Sequence, residues 1–145
     1  MGDLAKDIDS KFDNEHVKAL INIKYTSSWF DNIANNILKP HNISEQQYNI
    51  LRILRGAEKK VTVNSVKERM IQKSPNSTRL MDKLCDKNLI IRTRCESDRR
   101  VVFVEISKKG LQLLDKINIK ELENHTSALT EKEARTLNEL LDKIR

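Results

Sequence analysis

The sequence has little of what metal sites, disulfide scaffolds and membrane spans are built from. It holds two cysteines, Cys85 and Cys95, and three histidines in 145 residues, and none of these residues form a pair with zinc-site spacing. No apolar run approaches the ~20 residues that span a bilayer, and the acidic N-terminus lacks the charged-then-apolar order of a signal peptide. We therefore predict a cytoplasmic protein with free thiols, no metal, no cofactor and no membrane partner.

Glycine and proline are equally scarce, with three and two residues, while 33% of the chain is charged and 38% is apolar. This composition predicts one mostly α domain over residues 1–145, with few tight turns. The sequence has no glycine-rich phosphate loop and no G-x-S-x-G motif. Its carboxylates lie beside lysines on predicted helix surfaces, where solvated charge explains them, so we predict that the protein is not an enzyme.

The net charge of +6 is confined to one stretch of the chain. Residues 58–100 carry twelve basic and six acidic side chains, whereas residues 1–57 and residues 101–145 are each balanced. Many proteins are mildly basic without binding nucleic acid, so the net charge alone is weak evidence for nucleic-acid binding. Its confinement to one stretch, however, is typical of a surface that contacts phosphates.

Within that stretch, Ser74 followed by Pro75 predicts a helix that begins at about Pro75. At about 100° per residue, Ser77, Met81 and Leu84 share an inward face. The opposite face crowds polar side chains into the first turns, the part of a recognition helix that enters a major groove. An ordinary amphipathic surface helix would have the same periodicity, but it would not explain the ribbon that follows. The DNA contacts predicted from this helix are Ser74, Asn76, Thr78, Arg79 and Lys83.

The ribbon consists of two short alternating runs at about 89–93 and 101–106, joined by a charged turn at 94–100, which predicts a β-hairpin. A short helix capped by Thr62 precedes the recognition helix and completes a helix-turn-helix. A basic hairpin tip can reach an adjacent minor groove, whose negative potential attracts arginine. We predict DNA contacts by Asp98, Arg99 and Arg100, although these residues could form only a polar turn.

Amphipathic helices with surplus apolar positions are predicted at both ends of the chain. The first covers about residues 12–38 and ends before Pro40. Two others begin at Ser107 and at the Thr130–Glu133 capping box. Their apolar stripes predict a homodimer with two-fold symmetry, and a monomer with its terminal helices folded back is the alternative. The predicted dimer contacts are Ile33, Ile37, Leu137, Leu140, Leu141 and Ile144.

Three segments, SEQQYNILRIL, STRLMDKL and ESDRRVVFVEISKKGLQLL, resemble the MarR family of bacterial transcription regulators. The resemblance covers nearly the whole chain, and its most specific part is RLMDKL together with Asp98-Arg99-Arg100. It implies a mostly α fold with a small two- or three-stranded antiparallel wing. A winged helix-turn-helix lobe is expected at about 44–107, between dimerisation helices at about 12–38 and 108–145.

The resemblance also implies roles for individual residues. In this family an Asp-x-Arg at the wing places arginine near the minor groove, and an aspartate of the recognition helix can pair with it. Carried over, these residues are Asp98, Arg100 and Asp82, and the sequence leaves open whether Arg100 holds Asp82 or DNA. Family members often form a small-molecule pocket between the dimerisation helices and the lobe. Aromatic residues that could line it, or could simply be core, are Phe12, Tyr25, Trp29, Phe30 and Tyr48.

These observations predict a homodimeric, sequence-specific DNA-binding transcription regulator. We expect a repressor that binds a pseudo-palindromic operator in double-stranded DNA and is released by a small aromatic or anionic effector. One alternative is a winged-helix module that docks a protein partner and has no specific DNA site. Steep salt dependence of duplex binding would separate the two. A more distant alternative is a thiol-based redox-sensing regulator that uses Cys85 or Cys95, although relatives that sense oxidants use a cysteine near the N-terminal helix, where this chain has none.

Overall fold

The computed structural model describes residues 2–145, and within that range the chain forms eight α-helices, a 3-10 turn and a three-stranded sheet. The elements follow each other in the order α1 (Leu4–Asp7), α2 (Glu15–Leu38), the 3-10 turn (Lys39–His41), α3 (Glu45–Ala57), β1 (Val61–Thr62), α4 (Val63–Arg69), α5 (Ser77–Asp86), β2 (Ile90–Arg94), β3 (Val102–Ile106), α6 (Lys108–Lys116), α7 (Lys120–Thr126) and α8 (Glu131–Ile144).

Side-chain caps set several helix starts where the sequence predicts them. The Ser44 hydroxyl accepts from the Gln47 N–H at 3.1 Å, and the Gln47 side chain accepts from the Ser44 N–H at 3.0 Å, which completes a capping box at α3. Thr130 and Glu133 form the same arrangement at α8. Thr62 caps α4 and Ser107 caps α6. These caps satisfy N–H groups that have no partner within their own helix.

A single apolar core lies inside the lobe formed by α3, α4, α5, α6 and the sheet. Its completely buried members include Ile50 and Leu51 of α3, Met81 and Leu84 of α5, and Val104 of β3. Leu38 at the end of α2 and Ile117 after α6 close the two ends of the cluster. Helix α5 is therefore held against the rest of the lobe by large buried side chains.

The sheet has the strand order β1-β3-β2 and is antiparallel throughout. Strands β2 and β3 pair from Ile90 opposite Ile106 to Arg94 opposite Val102, so the hairpin tip is the segment 95–101. The two-residue β1 adds a third strand beside β3. A mostly α fold with a small antiparallel wing is confirmed.

The structure displaces one predicted helix start and divides one predicted helix. The long N-terminal helix begins at Glu15, not near Phe12, because the Asn14 side chain caps it by accepting from the Val17 N–H at 3.0 Å. The helical region predicted to begin at Ser107 is divided into α6 and α7 by a break at Ile117, which is buried in an extended conformation. The last helix, α8, begins after the Thr130 cap, where the sequence predicts it.

The terminal helices leave apolar side chains uncovered. On α8, Leu137, Leu140 and Ile144 are 45%, 54% and 68% exposed, and Leu20 on α2 is 55% exposed. Over residues 2–145, none of the helices combines the length and apolar character that crossing a membrane requires.

Candidate nucleic-acid interface

The recognition helix α5 begins at Ser77, two residues later than the sequence predicts. Ser74 does not cap the helix; its hydroxyl accepts from the Asn76 N–H at 3.1 Å, and its carbonyl accepts from the Ser77 hydroxyl at 2.6 Å. Ser74 and Pro75 therefore form a separate turn before the helix. That turn leaves the Asn76 side chain free of a capping bond.

The two faces of α5 divide as the periodicity predicts. Ser77, Met81 and Leu84 are buried, with 1%, 0% and 0% of their surface exposed. The Gln47 side-chain amide also donates to the Leu80 carbonyl at 3.4 Å, which ties α5 to α3. The outward face is thus held on a well-packed support. The exposed side chains on it are Asn76, Thr78, Arg79 and Lys83.

A groove separates α5 from the wing, and we call it the wing groove. It is a cavity of about 400 Å³ bordered by Thr78 of α5, Asn64 of α4, and Arg92, Arg94 and Arg100 of the wing. None of its lining residues is acidic. Arginines that converge in a concave surface favour phosphate groups, although Arg92 and Arg100 each also pair with an aspartate outside the groove.

The wing tip is organised around Asp98. Its carboxylate accepts from the Arg100 backbone N–H at 3.0 Å and from the Arg100 Nε at 3.2 Å, and its carbonyl accepts from the Val101 N–H at 3.0 Å. The Arg100 side chain remains 93% exposed. Arg99 is also exposed, and its carbonyl accepts from Arg94 at 3.4 Å. The tip therefore presents two arginines on a turn that Asp98 shapes.

Asp82 pairs with Arg92, so it is not the partner of Arg100, a possibility that the sequence left open. Arg92 lies on the first wing strand, close to α5 because only a short turn joins the two elements, whereas Arg100 is held at the tip by Asp98. Asp82 thus contacts the wing through a residue that sequence reasoning missed. The alternation of β2 was the available signal, since it places Arg92 and Arg94 on one side of the strand.

A second cavity, of about 170 Å³, lies where α2 meets α3 and α7. Of the aromatic residues predicted to line a ligand pocket, Tyr48 lines this cavity, whereas Phe12, Tyr25, Trp29 and Phe30 do not. Trp29 instead packs edge-on against Phe30 and His125, with ring centroids 5.1 and 4.6 Å away. The spacing of aromatic residues along α2 could not reveal that Trp29 packs against a residue of α7.

The same cavity contains charged residues that the sequence did not single out. The Arg52 guanidinium lies 6.0 Å from the centre of the Tyr48 ring, and Glu45 of the same helix also lines the cavity. Partial burial, with a smaller contribution from Asp31, raises the pKa of Glu45. The remaining lining is largely apolar, contributed by residues such as Ile37, Leu38 and Leu122. An apolar cavity with one cation and one carboxylate suits a small organic ligand.

The two thiols differ in their surroundings. The Ser97 hydroxyl, 3.1 Å from the Cys95 sulfur, lowers the pKa of Cys95, and nearby backbone N–H groups of Asp98 and Ser97 add to the effect. Burial raises the pKa of Cys85. Among residues 2–145, no group of His, Cys, Asp and Glu side chains is arranged to hold a metal ion.

The residues predicted to form the dimer are not equally accessible. Leu137, Leu140 and Ile144 are exposed on α8, and Leu141 is half-buried. Ile33 and Ile37 are half-buried on α2, and Ile37 packs against the lobe core and lines the small cavity.

A helix pair whose second helix presents polar side chains beside an arginine-bearing β-hairpin defines a winged helix-turn-helix protein. A family model described as "Transcriptional regulator SarA/Rot" matches residues 32–117. The chain belongs to this family of transcriptional regulators, which is one of the MarR-type winged-helix groups. That membership confirms the prediction of a regulator and not an enzyme.

Individual relatives agree with this assignment. The chain is 28% identical over 115 residues to the HTH-type transcriptional regulator MhqR of Bacillus subtilis, which covers 76% of this chain and 77% of MhqR. It is 31% identical to a MarR transcription factor from Planctomyces limnophilus, with a TM-score of 0.68 over 92% of this chain and 98% of that one. A mutant MarR from E. coli, complexed with operator DNA, is 26% identical with a TM-score of 0.78 over 93% and 99% of the two chains.

Proposed function

We propose that this regulator binds a specific site in double-stranded DNA through α5 and the wing. The observation that carries the proposal is the position of exposed Asn76 and Arg79 at the start of α5, beside the arginine-lined wing groove. Asn and Arg are suited to bidentate contacts with base edges, and arginines on a wing suit a minor groove. Operator DNA in the complex of the E. coli relative supports this proposal.

Under this proposal the contacts divide into two kinds. Asn76 and Arg79 read bases in the major groove, with Thr78 and Lys83 at its margins and Ser74 at the turn that leads into the helix. Arg99 and Arg100 approach the neighbouring minor groove, and Asp98 sets the shape of the tip. Asp82 does not contact DNA in this proposal; its ion pair with Arg92 holds the wing beside α5. Only the contacts in the major groove distinguish one base sequence from another.

The acting species in this proposal is a homodimer. The uncovered apolar side chains of α8 need a partner surface, and a second copy of the same helix provides one with matching chemistry. Two recognition helices related by a two-fold axis then read two half-sites of a pseudo-palindrome. A dimer seated on an operator in this way would obstruct transcription, which makes repression the expected outcome.

Release by a small ligand completes the proposal. The cavity lined by Tyr48, Arg52 and Glu45 lies between α2 and the lobe that carries α5. A ligand that fits it better in one arrangement of these elements shifts the population toward that arrangement. Arg52 favours an anionic group and the Tyr48 ring favours an aromatic one, so a small aromatic acid matches the lining.

The decisive experiment begins with selection of bound sequences from random duplex DNA. Affinity for the selected duplex is then measured for the wild type, Arg79→Ala and Arg55→Ala, an exposed arginine of α3 that serves as the control. Arg79→Ala should cost about 1–3 kcal/mol and relax the preference at one base position in each half-site. Arg55→Ala should leave the sequence preference unchanged.

Two results would contradict the proposal. If selection enriches no sequence and duplex binding shows no steep salt dependence, the winged-helix lobe docks a protein and not DNA. If a sequence is enriched but Arg79→Ala retains both affinity and preference, α5 does not read bases through this face.

A further inference from the structure

A band of lysines lies on the flank of α5 that faces away from the wing. We define this lysine band as Lys39, Lys83, Lys87, Lys109 and Lys116. Two open cavities of about 490 and 450 Å³ are lined by these residues and share Asn42 and Lys87, so the band is continuous. It runs from α5, past the 3-10 turn after α2, to the outer side of α6.

Within the part of the chain that the structure describes, the lysine band has no acidic partner. No lining residue of either cavity is acidic. The ion pairs found within residues 2–145 involve Arg92, Arg100 and Arg145, and none involves a lysine. Lys87 donates to the Asn42 carbonyl and Lys109 donates to the Lys87 carbonyl at 3.1 Å, and both acceptors are neutral. The band is therefore a patch of positive charge that no acidic side chain among residues 2–145 pairs with.

The position of the lysine band around α5 indicates which part of a DNA duplex the band would face if α5 entered the major groove. At about 100° per residue, Asp82 lies about 40° from Thr78, on the wing side, whereas Lys83 and Lys87 lie about 140° and 180° away. Arg79, at about 100°, points between the two flanks. A helix of 10–12 Å diameter fills a major groove about 12 Å wide, so each flank faces one of the two bordering phosphate strands. The wing lies toward one strand and the lysine band toward the other.

We propose that the lysine band binds the phosphate backbone on the side of the major groove opposite the wing. This inference rests on the proposed DNA-binding function and assigns Lys39, Lys87, Lys109 and Lys116 to the interface. The band and the wing then hold α5 from two sides. Because phosphate contacts carry no base code, the band sets affinity and register and leaves sequence preference to Asn76 and Arg79.

The test compares pairs of variants that each remove two charges. Lys39→Gln/Lys116→Gln removes lysines that make no internal hydrogen bond in the described structure, and Lys87→Gln/Lys109→Gln removes the two that do. Lys132→Gln/Lys143→Gln on α8 removes the same charge away from the band. Affinity for the selected duplex and for a scrambled duplex is measured over a range of salt concentrations, with the melting temperature as a folding check.

The plot of log affinity against log salt concentration has a negative slope, and each lost phosphate contact should reduce the magnitude of this slope by about 0.9. Each pair of band substitutions should therefore reduce it by about 1.8 per protomer. The ratio of affinities for the selected and scrambled duplexes should stay the same, and the α8 pair should behave as wild type. Unchanged slopes in both band pairs, or an equal fall in the α8 pair, would overturn the inference. Failure of the wild type to prefer any duplex would instead overturn the proposed function.

Discussion

Asp82 of the recognition helix is paired with Arg92 of the first wing strand, so the two parts of the interface are joined by one ion pair. The side chains are 47% and 35% exposed, respectively. Such a pair contributes little to folding because water screens it. Under the proposed function, the pair would act on DNA binding in two ways: it holds the wing beside α5, and its two members place opposite charges near the duplex.

A double-mutant cycle on Asp82→Asn and Arg92→Ala should therefore give a small coupling energy for unfolding, about 0.2–1 kcal/mol. The two substitutions should differ in their effect on DNA affinity. Asp82→Asn removes a negative charge near the duplex, whereas Arg92→Ala removes a positive charge and should weaken binding more. Denaturant unfolding and duplex titration check the two statements. A coupling of several kcal/mol would contradict the prediction of a screened surface pair.

Arg100→Ala should weaken the binding of selected and scrambled duplexes by the same factor. It should also reduce the magnitude of the slope of log affinity against log salt concentration by about 1. Its side chain is 93% exposed and, among residues 2–145, its only ion pair is with Asp98 at the same tip, so the melting temperature should barely change. Salt-dependent titration and thermal melting give both readouts. Loss of sequence preference in this variant would show that Arg100 reads a base.

Replacing Leu137 and Leu141 together by charged residues should convert the proposed dimer into a monomer or prevent folding, because Leu137 is exposed on α8 and the half-buried Leu141 lies one turn later on the same face. Light scattering gives the mass and circular dichroism reports the folding. Lys132→Gln, on the same helix, is the control and should not alter the mass. A folded double variant with the mass of a dimer would place the interface elsewhere.

Gly110→Ala should destabilise the protein by about 1–3 kcal/mol. A Cβ at this position would lie 2.3 Å from the Leu89 carbonyl oxygen and 2.7 Å from the Ile106 side chain, so α6 would have to move away from the sheet. Gly56→Ala is the matched control: its Cβ would meet nothing within 4 Å, and helix propensity should stabilise it by up to about 1 kcal/mol. Chemical denaturation of both variants measures the contrast.

Alkylation should begin at lower pH for Cys95 than for Cys85, because hydrogen bonds lower the pKa of Cys95 and burial raises the pKa of Cys85. The reactive species is the thiolate, so Ser97→Ala should shift the rate profile of Cys95 to higher pH and leave Cys85 unaffected. Mass spectrometry of peptides alkylated at several pH values resolves the two sites. Equal profiles for both thiols would contradict the hydrogen-bond assignment at the wing tip.

The sequence alone determined the type and order of the helices in the lobe and the position of the wing hairpin, but it did not indicate the two-residue strand β1. Capping residues such as Ser44, Thr62 and Ser107 act on N–H groups within three residues, so the local sequence is enough to place those helix starts. The buried face of α5 follows from its own period, and the wing follows from two alternating runs. Local chemistry misplaced the start of α5, because Ser74 bonds to a turn and not to the helix.

Tertiary structure decided which distant residues meet. Asp82 pairs with Arg92 because a short turn folds β2 back beside α5, while the tip withdraws Arg100 toward Asp98. Trp29 meets His125 across almost a hundred residues, and the small cavity draws Tyr48 and Arg52 together with Leu122. The lysine band likewise joins three segments far apart in the chain. Periodicity reports which face of an element is buried, but the partner across that face depends on how the elements pack.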